Sequence, residues 1–252
     1  FGVDAVYDDY EQLLDAVAPD IALISTQAPQ HHGPVVAAAR RGIHVFCEKP
    51  IALDRAGLER VEDAWARSGK RLSSNLILRQ SPRFRAVHDM VRRGDFGDLF
   101  YMEGDYIHQI LWKITEGWRG KMDFYCVAYG GGIHLIDLMR WIAGEEVVEV
   151  TAMATKKLTR DSAFKYPDTM SVLMRFESDL LAKSTTLFGP QRRKFHSLNL
   201  YGTQLSFENA DGPARLYRGD DRRHVDPVGG LIDDLPEPRE VGRSVVVGHV
   251  DL

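Results

Sequence analysis

Ile43-His44-Val45-Phe46-Cys47-Glu48-Lys49-Pro50 is an apolar run that passes directly into a charged pair closed by a proline. Bounded by Gly42 and Pro50, its Ile, Val, Phe and Cys read as a short strand buried on both faces, as in a parallel sheet. The carboxyl end of that strand is Glu48-Lys49, and open parallel sheets bind ligands in the crevice beyond the carboxyl ends of their strands. Pro50 fixes its own φ and drives Lys49 toward extended backbone, so the chain itself sets the direction of the lysine. Alone, the pair would read as a surface ion pair of little weight. The elements on either side make it a candidate site.

Upstream, residues 8–18 place Tyr10, Leu13, Leu14 and Val17 at helical spacing behind acidic residues, which predicts a short amphipathic helix. Pro19-Asp20 ends it, and Ile21-Ala22-Leu23-Ile24-Ser25-Thr26 follows as an apolar strand ending in hydroxyls. The loop Gln27-Ala28-Pro29-Gln30-His31-His32 leads to a helix opened by Pro34, running from Val35 to Arg41 and closed by Gly42. Two apolar strands joined this way form a right-handed parallel crossover, which puts the 25–29 loop beside Lys49 at one edge of the sheet. After Pro50, Asp54 to Ser68 forms a second amphipathic helix with Leu58, Val61, Ala64 and Trp65 on one stripe. Arg71-Leu72-Ser73-Ser74-Asn75 is a third strand, and residues 83–93 are a further helix with Phe84, Val87, Met90 and Val91 inward.

From Leu99 the apolar period changes to two. Strands are expected near 99–106, 147–157, 168–177, 180–188, 195–201, 204–208 and 213–218, interrupted by a helix from Gly132 to Ile142. Val148, Val150, Ala152 and Ala154 alternate as a half-buried strand. Successive strands without helices between them predict an antiparallel or mixed sheet covered on one face. The fold class is therefore α/β: a parallel-sheet domain over residues 1–94, then an α/β domain over 95–252 with a large, mostly antiparallel open sheet. From Arg218 to Gly242 the chain is polar, rich in Pro and Gly, and reads as loop; it reaches Leu252 without a closing element.

Composition narrows the function. The 252 residues are 44% hydrophobic and 27% charged, the balance of a soluble globular protein. Lys and Arg number 32 against 36 Asp and Glu, a formal charge of -4, with no basic run long enough for a nucleic acid. No apolar run approaches the roughly 18 residues of a membrane span. Phe1-Gly2-Val3-Asp4 lacks a basic and an apolar leader region, so the cytoplasm is the default location. Cys47 and Cys126 stand far apart with no CxxC, which argues against a disulfide framework or structural zinc and leaves both as buried small hydrophobes. His31-His32 lacks the nearby carboxylates of a ligand set, so no metal is expected.

Glu48-Lys49-Pro50 after an apolar strand resembles the Glu-Lys-Pro signature of the glucose-fructose oxidoreductase, inositol dehydrogenase and MocA (Gfo/Idh/MocA) family. Thr26-Gln27-Ala28-Pro29-Gln30-His31-His32 is similar to that family's Thr-Pro-Asn-x-x-His loop, and Arg79-Gln80-Ser81-Pro82-Arg83-Phe84 to its Arg-x-x-Pro-x-Phe segment. Gly94-Asp95-Phe96-Gly97, Trp118-Arg119 and the Gly130-Gly131-Gly132-Ile133-His134-Leu135-Ile136-Asp137 stretch also resemble family motifs, in the same order. The resemblance covers about residues 1–210. It implies a Rossmann domain holding NAD or NADP, then a domain that binds a sugar, cyclitol or nucleotide sugar and builds a homodimer or homotetramer through its open sheet. It implies hydride transfer at a hydroxyl-bearing carbon, with Lys49 and His134 as acid/base groups. To the cofactor it assigns Thr26, Gln27, Pro29, His32, Glu48, Lys49 and Asn75; to the substrate, Arg79, Tyr106, Trp118, Arg119 and Asp137, with His108 and Trp112 flanking.

Two departures stand out. The Gly-x-Gly-x-x-Gly turn of a Rossmann domain, with an acidic residue about 20 positions on, is absent, so a first β-α-β unit of at least ~30 residues is expected to be missing and the Rossmann domain to be partial. Many relatives carry an Asp one helical turn before the helix histidine; here that position is Gly130, with Tyr129 and Asp123 as candidates for its role. Taking hydride from a carbinol carbon needs a base for the hydroxyl proton. A histidine can serve, and so can a lysine whose pKa is lowered by burial or neighbouring positive charge. The departures leave open a second function, a non-catalytic ligand-sensing or regulatory protein on the same scaffold.

Overall fold

The computed structural model describes residues 5–209, 214–219, 221–223 and 244–247. They form two compact units, one ending at Asn75 and including the strand Ser244–Val247, the other beginning at Leu76.

In the first unit, α1 (Tyr10–Val17) starts at Asp9, whose carboxylate accepts the Gln12 N–H at 2.9 Å and satisfies one amide left unpaired by a helix start. β1 (Ile21–Ile24), α2 (His32–Arg40), β2 (His44–Cys47), α3 (Arg55–Ser68) and β3 (Leu72–Ser74) then alternate. Asp54 caps α3 through the Gly57 N–H at 2.6 Å. β1 pairs in parallel with β2, Ile24 opposite Cys47, and β2 with β3, Cys47 opposite Ser74. Ala22, Ile24, Val45 and Cys47 pack with Leu14, Val35, Ala38 and Val61 into this unit's core.

Burial along β2 alternates, and Phe46 on the other face is 37% exposed, which corrects the expectation of a strand buried on both sides. The reason is topological: successive right-handed crossovers in one direction stack α2 and α3 on the same face of the sheet.

The second unit contains α4 (Pro82–Arg92), β4 (Leu99–Ile107), α5 (Trp112–Thr115), α6 (Ile133–Ala143), β5 (Val147–Thr155), β6 (Thr169–Phe176), β7 (Leu181–Leu187), β8 (Phe195–His196), β9 (Asn199–Gly202), β10 (Ser206–Glu208), β11 (Arg215–Arg218) and β12 (Asp221–Arg223). Its 9-stranded sheet runs β12-β11-β10-β9-β4-β7-β6-β5, with β8 also on β4. β4 and β7 pair in parallel; the other neighbours are antiparallel. α6 buries Leu135, Leu138, Met139 and Ile142 in a core shared with Met102, Val172, Met174, Ala182 and Leu200. No helix among the described residues is long and apolar enough to cross a membrane.

Three expectations are corrected here. The chain divides after Asn75 rather than at residue 94, because Leu78, Phe84 and Val87 are buried in the second unit's core. β5 is open on both faces rather than half-buried: it ends the sheet, and Val150 and Met153 are 60% and 80% exposed. In the stretch expected as loop, Asp221–Arg223 pairs with β11, and the segment expected to close nothing adds Ser244–Val247 in parallel along β1. Residues 224–243, also in that stretch, lie outside the described residues.

α6 comes onto β4 at Gly104, where a Cβ would lie 2.7 Å from the Ser197 carbonyl oxygen and 2.9 Å from Met139 Cε. The methionine can yield; the backbone carbonyl cannot. Gly104→Ala is expected to destabilise the second unit by about 1–3 kcal/mol. Urea denaturation followed by tryptophan fluorescence reads this, since Trp112, Trp118 and Trp141 all belong to that unit.

Candidate active site

In the first unit the candidate residues gather at the carboxyl ends of β1 and β2, where the parallel register makes the two following loops leave the sheet side by side. His31, 2% exposed, ties those loops together. Its Nδ1 lies 2.6 Å from the Pro50 carbonyl oxygen and its Nε2 2.8 Å from that of Thr26. Both partners only accept, so an imidazolium satisfies the two and a neutral ring satisfies one. Lys49 is thereby held between β2 and a clamped peptide, and the Lys49–Pro50 bond is cis.

Glu48 accepts from Asn75 Nδ2 at 2.6 Å and from the Lys49 N–H at 3.3 Å, linking the ends of β2 and β3. Thr26 Oγ1 is buried with no hydrogen-bond partner among the described residues. Gln27 and Pro29 belong to the short 3-10 turn that follows. His32 turns elsewhere, its Nε2 3.2 Å from an Arg60 nitrogen on α3.

In the second unit α6 is preceded by a π-helical turn, Ala128–Gly132. Its glycines permit close approach: a Cβ on Gly131 would lie 2.6 Å from the Tyr106 ring, and one on Gly130 would strike the Tyr125 hydroxyl. Buried His134 therefore stands among rings, its centroid 6.4 Å from Tyr106 and 6.3 Å from His196. The Tyr106 hydroxyl lies 3.1 Å from His108 Nδ1. The Arg119 guanidinium covers Trp118 at 4.3 Å. Burial pushes the Tyr106 and Tyr125 hydroxyls above the usual phenol range, opposed in both cases by the charge of Arg119. His108 is held below its ordinary value by burial first, then by Lys194 and Lys113.

Arg79 and Asp137 meet each other. Nε donates to Oδ2 at 2.7 Å and a terminal nitrogen to Oδ1 at 2.5 Å, which fastens α6 to the turn Ile77–Gln80. Arg79 also lies over Trp141 at 5.9 Å, and Trp141 stacks on His88 at 3.9 Å. The structure thus brings Tyr106 to His134, sets Arg119 where its charge acts on Tyr106 and Tyr125, lays Arg119 over Trp118, and pairs Arg79 with Asp137 of α6.

Residues 1–76 match the family model described as oxidoreductase family, NAD-binding Rossmann fold, and residues 84–208 match the GFO/IDH/MocA C-terminal domain. The chain belongs to the Gfo/Idh/MocA family. It is 29% identical over 219 residues to a D-apiose dehydrogenase of Paraburkholderia graminis, covering 86% of this chain and 56% of that protein. It is 33% identical over 221 residues to an uncharacterized oxidoreductase of Rhizobium meliloti, covering 84% of this chain and 62% of that one. The chain thus spans under two thirds of the length of these relatives. Its fold is similar to that of scyllo-inositol dehydrogenase from Lactobacillus casei, solved with NAD(H) and scyllo-inositol: the TM-score is 0.76 at 22% identity, over 84% of this chain and 63% of that one.

Against the Gfo/Idh/MocA pattern, the space in front of Gly130 is filled by Tyr125. Tyr129 is 41% exposed against Phe124, and the Asp123 carbonyl accepts from the Tyr166 hydroxyl. Tyr125 carries no spacing signal that would have marked it in the sequence. His196 was equally hidden, since it reaches the cluster through the β4–β8 pairing opposite Tyr106.

Arg79→Ala is expected to cost about 1–3 kcal/mol by leaving the nearly buried Asp137 carboxylate unpaired. Adding Asp137→Leu should recover most of that loss in a denaturation double-mutant cycle. Lys194→Met is expected to raise the His108 titration midpoint, because a cation that opposes its protonation is removed; a histidine NMR pH titration reads the shift.

Proposed function

We propose that this protein is an NAD(P)-dependent oxidoreductase that transfers a hydride at a hydroxyl-bearing carbon of a sugar, cyclitol or nucleotide sugar. The observation that carries the proposal is Lys49, two residues beyond the end of β2, in a loop that His31 ties to the loop after β1 through the Pro50 and Thr26 carbonyl oxygens. Relatives named for D-apiose and scyllo-inositol support the substrate class.

Thr26, Gln27, Pro29, Glu48, Lys49 and Asn75 would hold the nicotinamide end of the dinucleotide; the 252 residues contain no Gly-x-Gly-x-x-Gly for its pyrophosphate. Hydride acceptance is the chemistry that a bound oxidised nicotinamide supplies. Lys49 receives the proton of the substrate hydroxyl, the step that makes hydride loss from the carbon feasible. His134, in its ring cluster, is the second acid/base group. Tyr106, Trp118 and Arg119 bind the polyol, and Arg79 with Asp137 holds α6 in position for it. A second copy of the chain covers the open strand β5, where Val148, Val150 and Met153 face outward, and the protein works in the cytoplasm as a dimer or tetramer.

Isothermal titration of NAD and NADP, followed by NADH formation with a panel of sugars and cyclitols, tests the proposal. Lys49→Ala is expected to lower turnover by about 10²–10⁴-fold, the usual contribution of a general base, with the circular dichroism spectrum unchanged. A wild-type chain that binds neither dinucleotide and turns over nothing would leave the ligand-sensing function in its place.

A further inference from the structure

We propose that the substrate is an anion: beside His134 the second unit holds a site for a carboxylate or phosphate group on the sugar, built from Lys113, Arg119, Lys194 and His108. This rests on the oxidoreductase assignment above and adds the substrate's charge to it.

Three segments bring the cations together. The β4–β8 register sets Tyr106 opposite His196 and Ile107 opposite Phe195, so the next positions along the two chains are His108 and Lys194. α5 and the turn Trp118–Lys121 fold back on one another tightly enough that a Cβ on Gly117 would lie 2.8 Å from the Lys113 carbonyl oxygen. Lys113 and Arg119 thereby come near enough for the Arg119 charge to act on Lys113. Lys113 lies over Trp112 at 5.5 Å, and Arg119 over Trp118 at 4.3 Å.

Several arginines elsewhere are paired with carboxylates: Arg41 with Glu11 and Asp15, Arg175 with Glu149 and Asp179, Arg140 with Glu146. Among the described residues no carboxylate pairs with Lys113, Arg119 or Lys194. The like charges feel one another: Lys113 is pushed below its ordinary range by burial, then by Arg119 and Lys194, as His108 is by burial and both lysines. Lys113, Arg119 and His108 are half-buried, with Lys194 exposed at their edge; cations gathered there repel unless a counter-charge arrives, and a neutral polyol brings none.

Tyr106 sets the spacing. Its ring stacks toward His134 at 6.4 Å while its hydroxyl lies 3.1 Å from His108, so one aromatic ring separates the acid/base histidine from the cationic end. A sugar that presents a hydroxyl-bearing carbon to His134 would carry its charge at its far end. Trp112 and Trp118 offer faces for the ring carbons between. An aldonic or uronic acid and a sugar phosphate share this chemistry.

The test is isothermal titration of the 252-residue chain, with and without NAD, using D-gluconate, D-glucose 6-phosphate, D-glucose and myo-inositol. The expected result is that an anionic ligand binds at least about tenfold more tightly than the neutral ones, by about 1.4 kcal/mol, and that the advantage shrinks with added salt. Gluconate against glucose 6-phosphate tells a carboxylate from a phosphate. Lys113→Met and Lys194→Met should erase the advantage while leaving the neutral ligands unchanged, whereas Arg119→Lys, which keeps the charge, should retain part of it. Neutral and anionic ligands binding equally would overturn the anion site and leave the oxidoreductase assignment standing. A chain that binds no dinucleotide and none of the four ligands would overturn both.

Discussion

Helix α6 rests on strand β4 at a residue that has no side chain. Gly104 lets Met139 and Leu135 come down to the sheet backbone, and with Leu138 and Ile142 they bury four apolar side chains worth roughly 1.5–3 kcal/mol each. The rest of the second unit follows from this contact. Leu78, Phe84 and Val87 pack into the same core, which pulls α4 into this unit, and the Arg79–Asp137 pair fixes the helix from its side. Because the helix is anchored in this way, the glycine turn before it meets the rings of Tyr106 and Tyr125, and His134 is placed among aromatic faces.

The first unit solves the same positioning problem with polar groups. A single buried imidazole joins two backbone carbonyls from loops that follow different strands, and a carboxylate at Glu48 joins the end of β2 to Asn75 beyond β3. These bonds fix the Thr26 and Pro50 carbonyls and the Glu48 side chain, and so hold the backbone on either side of Lys49. Apolar packing places the histidine, and a short network of hydrogen bonds places the lysine.

Electrostatics within the second unit runs against the character of the whole chain. The protein is acidic, with a formal charge of -4, and arginines such as Arg41 and Arg175 are paired with carboxylates. Around Tyr106 the balance reverses, because strand pairing and a tight turn bring in cations from distant positions. Local repulsion there is tolerated because the covalent topology and the aromatic platforms hold the groups in place.

Local order was legible in the sequence because it is written in local periods. The alternation of apolar runs with helical stripes gave β1 to β3 and their crossovers, and Pro50 after an apolar run marked the strand end that carries Lys49. The change of period at Leu99 gave the large sheet, and a glycine run before an apolar stripe gave His134 at the start of α6. Partner choice is not periodic. Nothing local in Phe84 or Val87 says which core they join, so the boundary at Asn75 emerged only from packing. The alternation in β5 signalled a strand but not that it would stand at the sheet's edge with both faces open. Tyr125 in front of Gly130, His196 beside Tyr106 and Lys194 beside His108 depend on register and close approach between segments far apart in the chain. The sequence by itself determined which residues could do chemistry and which end of a strand or helix presents them. The tertiary structure alone decided which of them meet, because a contact between distant segments is fixed by sheet register and by where a missing side chain lets two backbones approach.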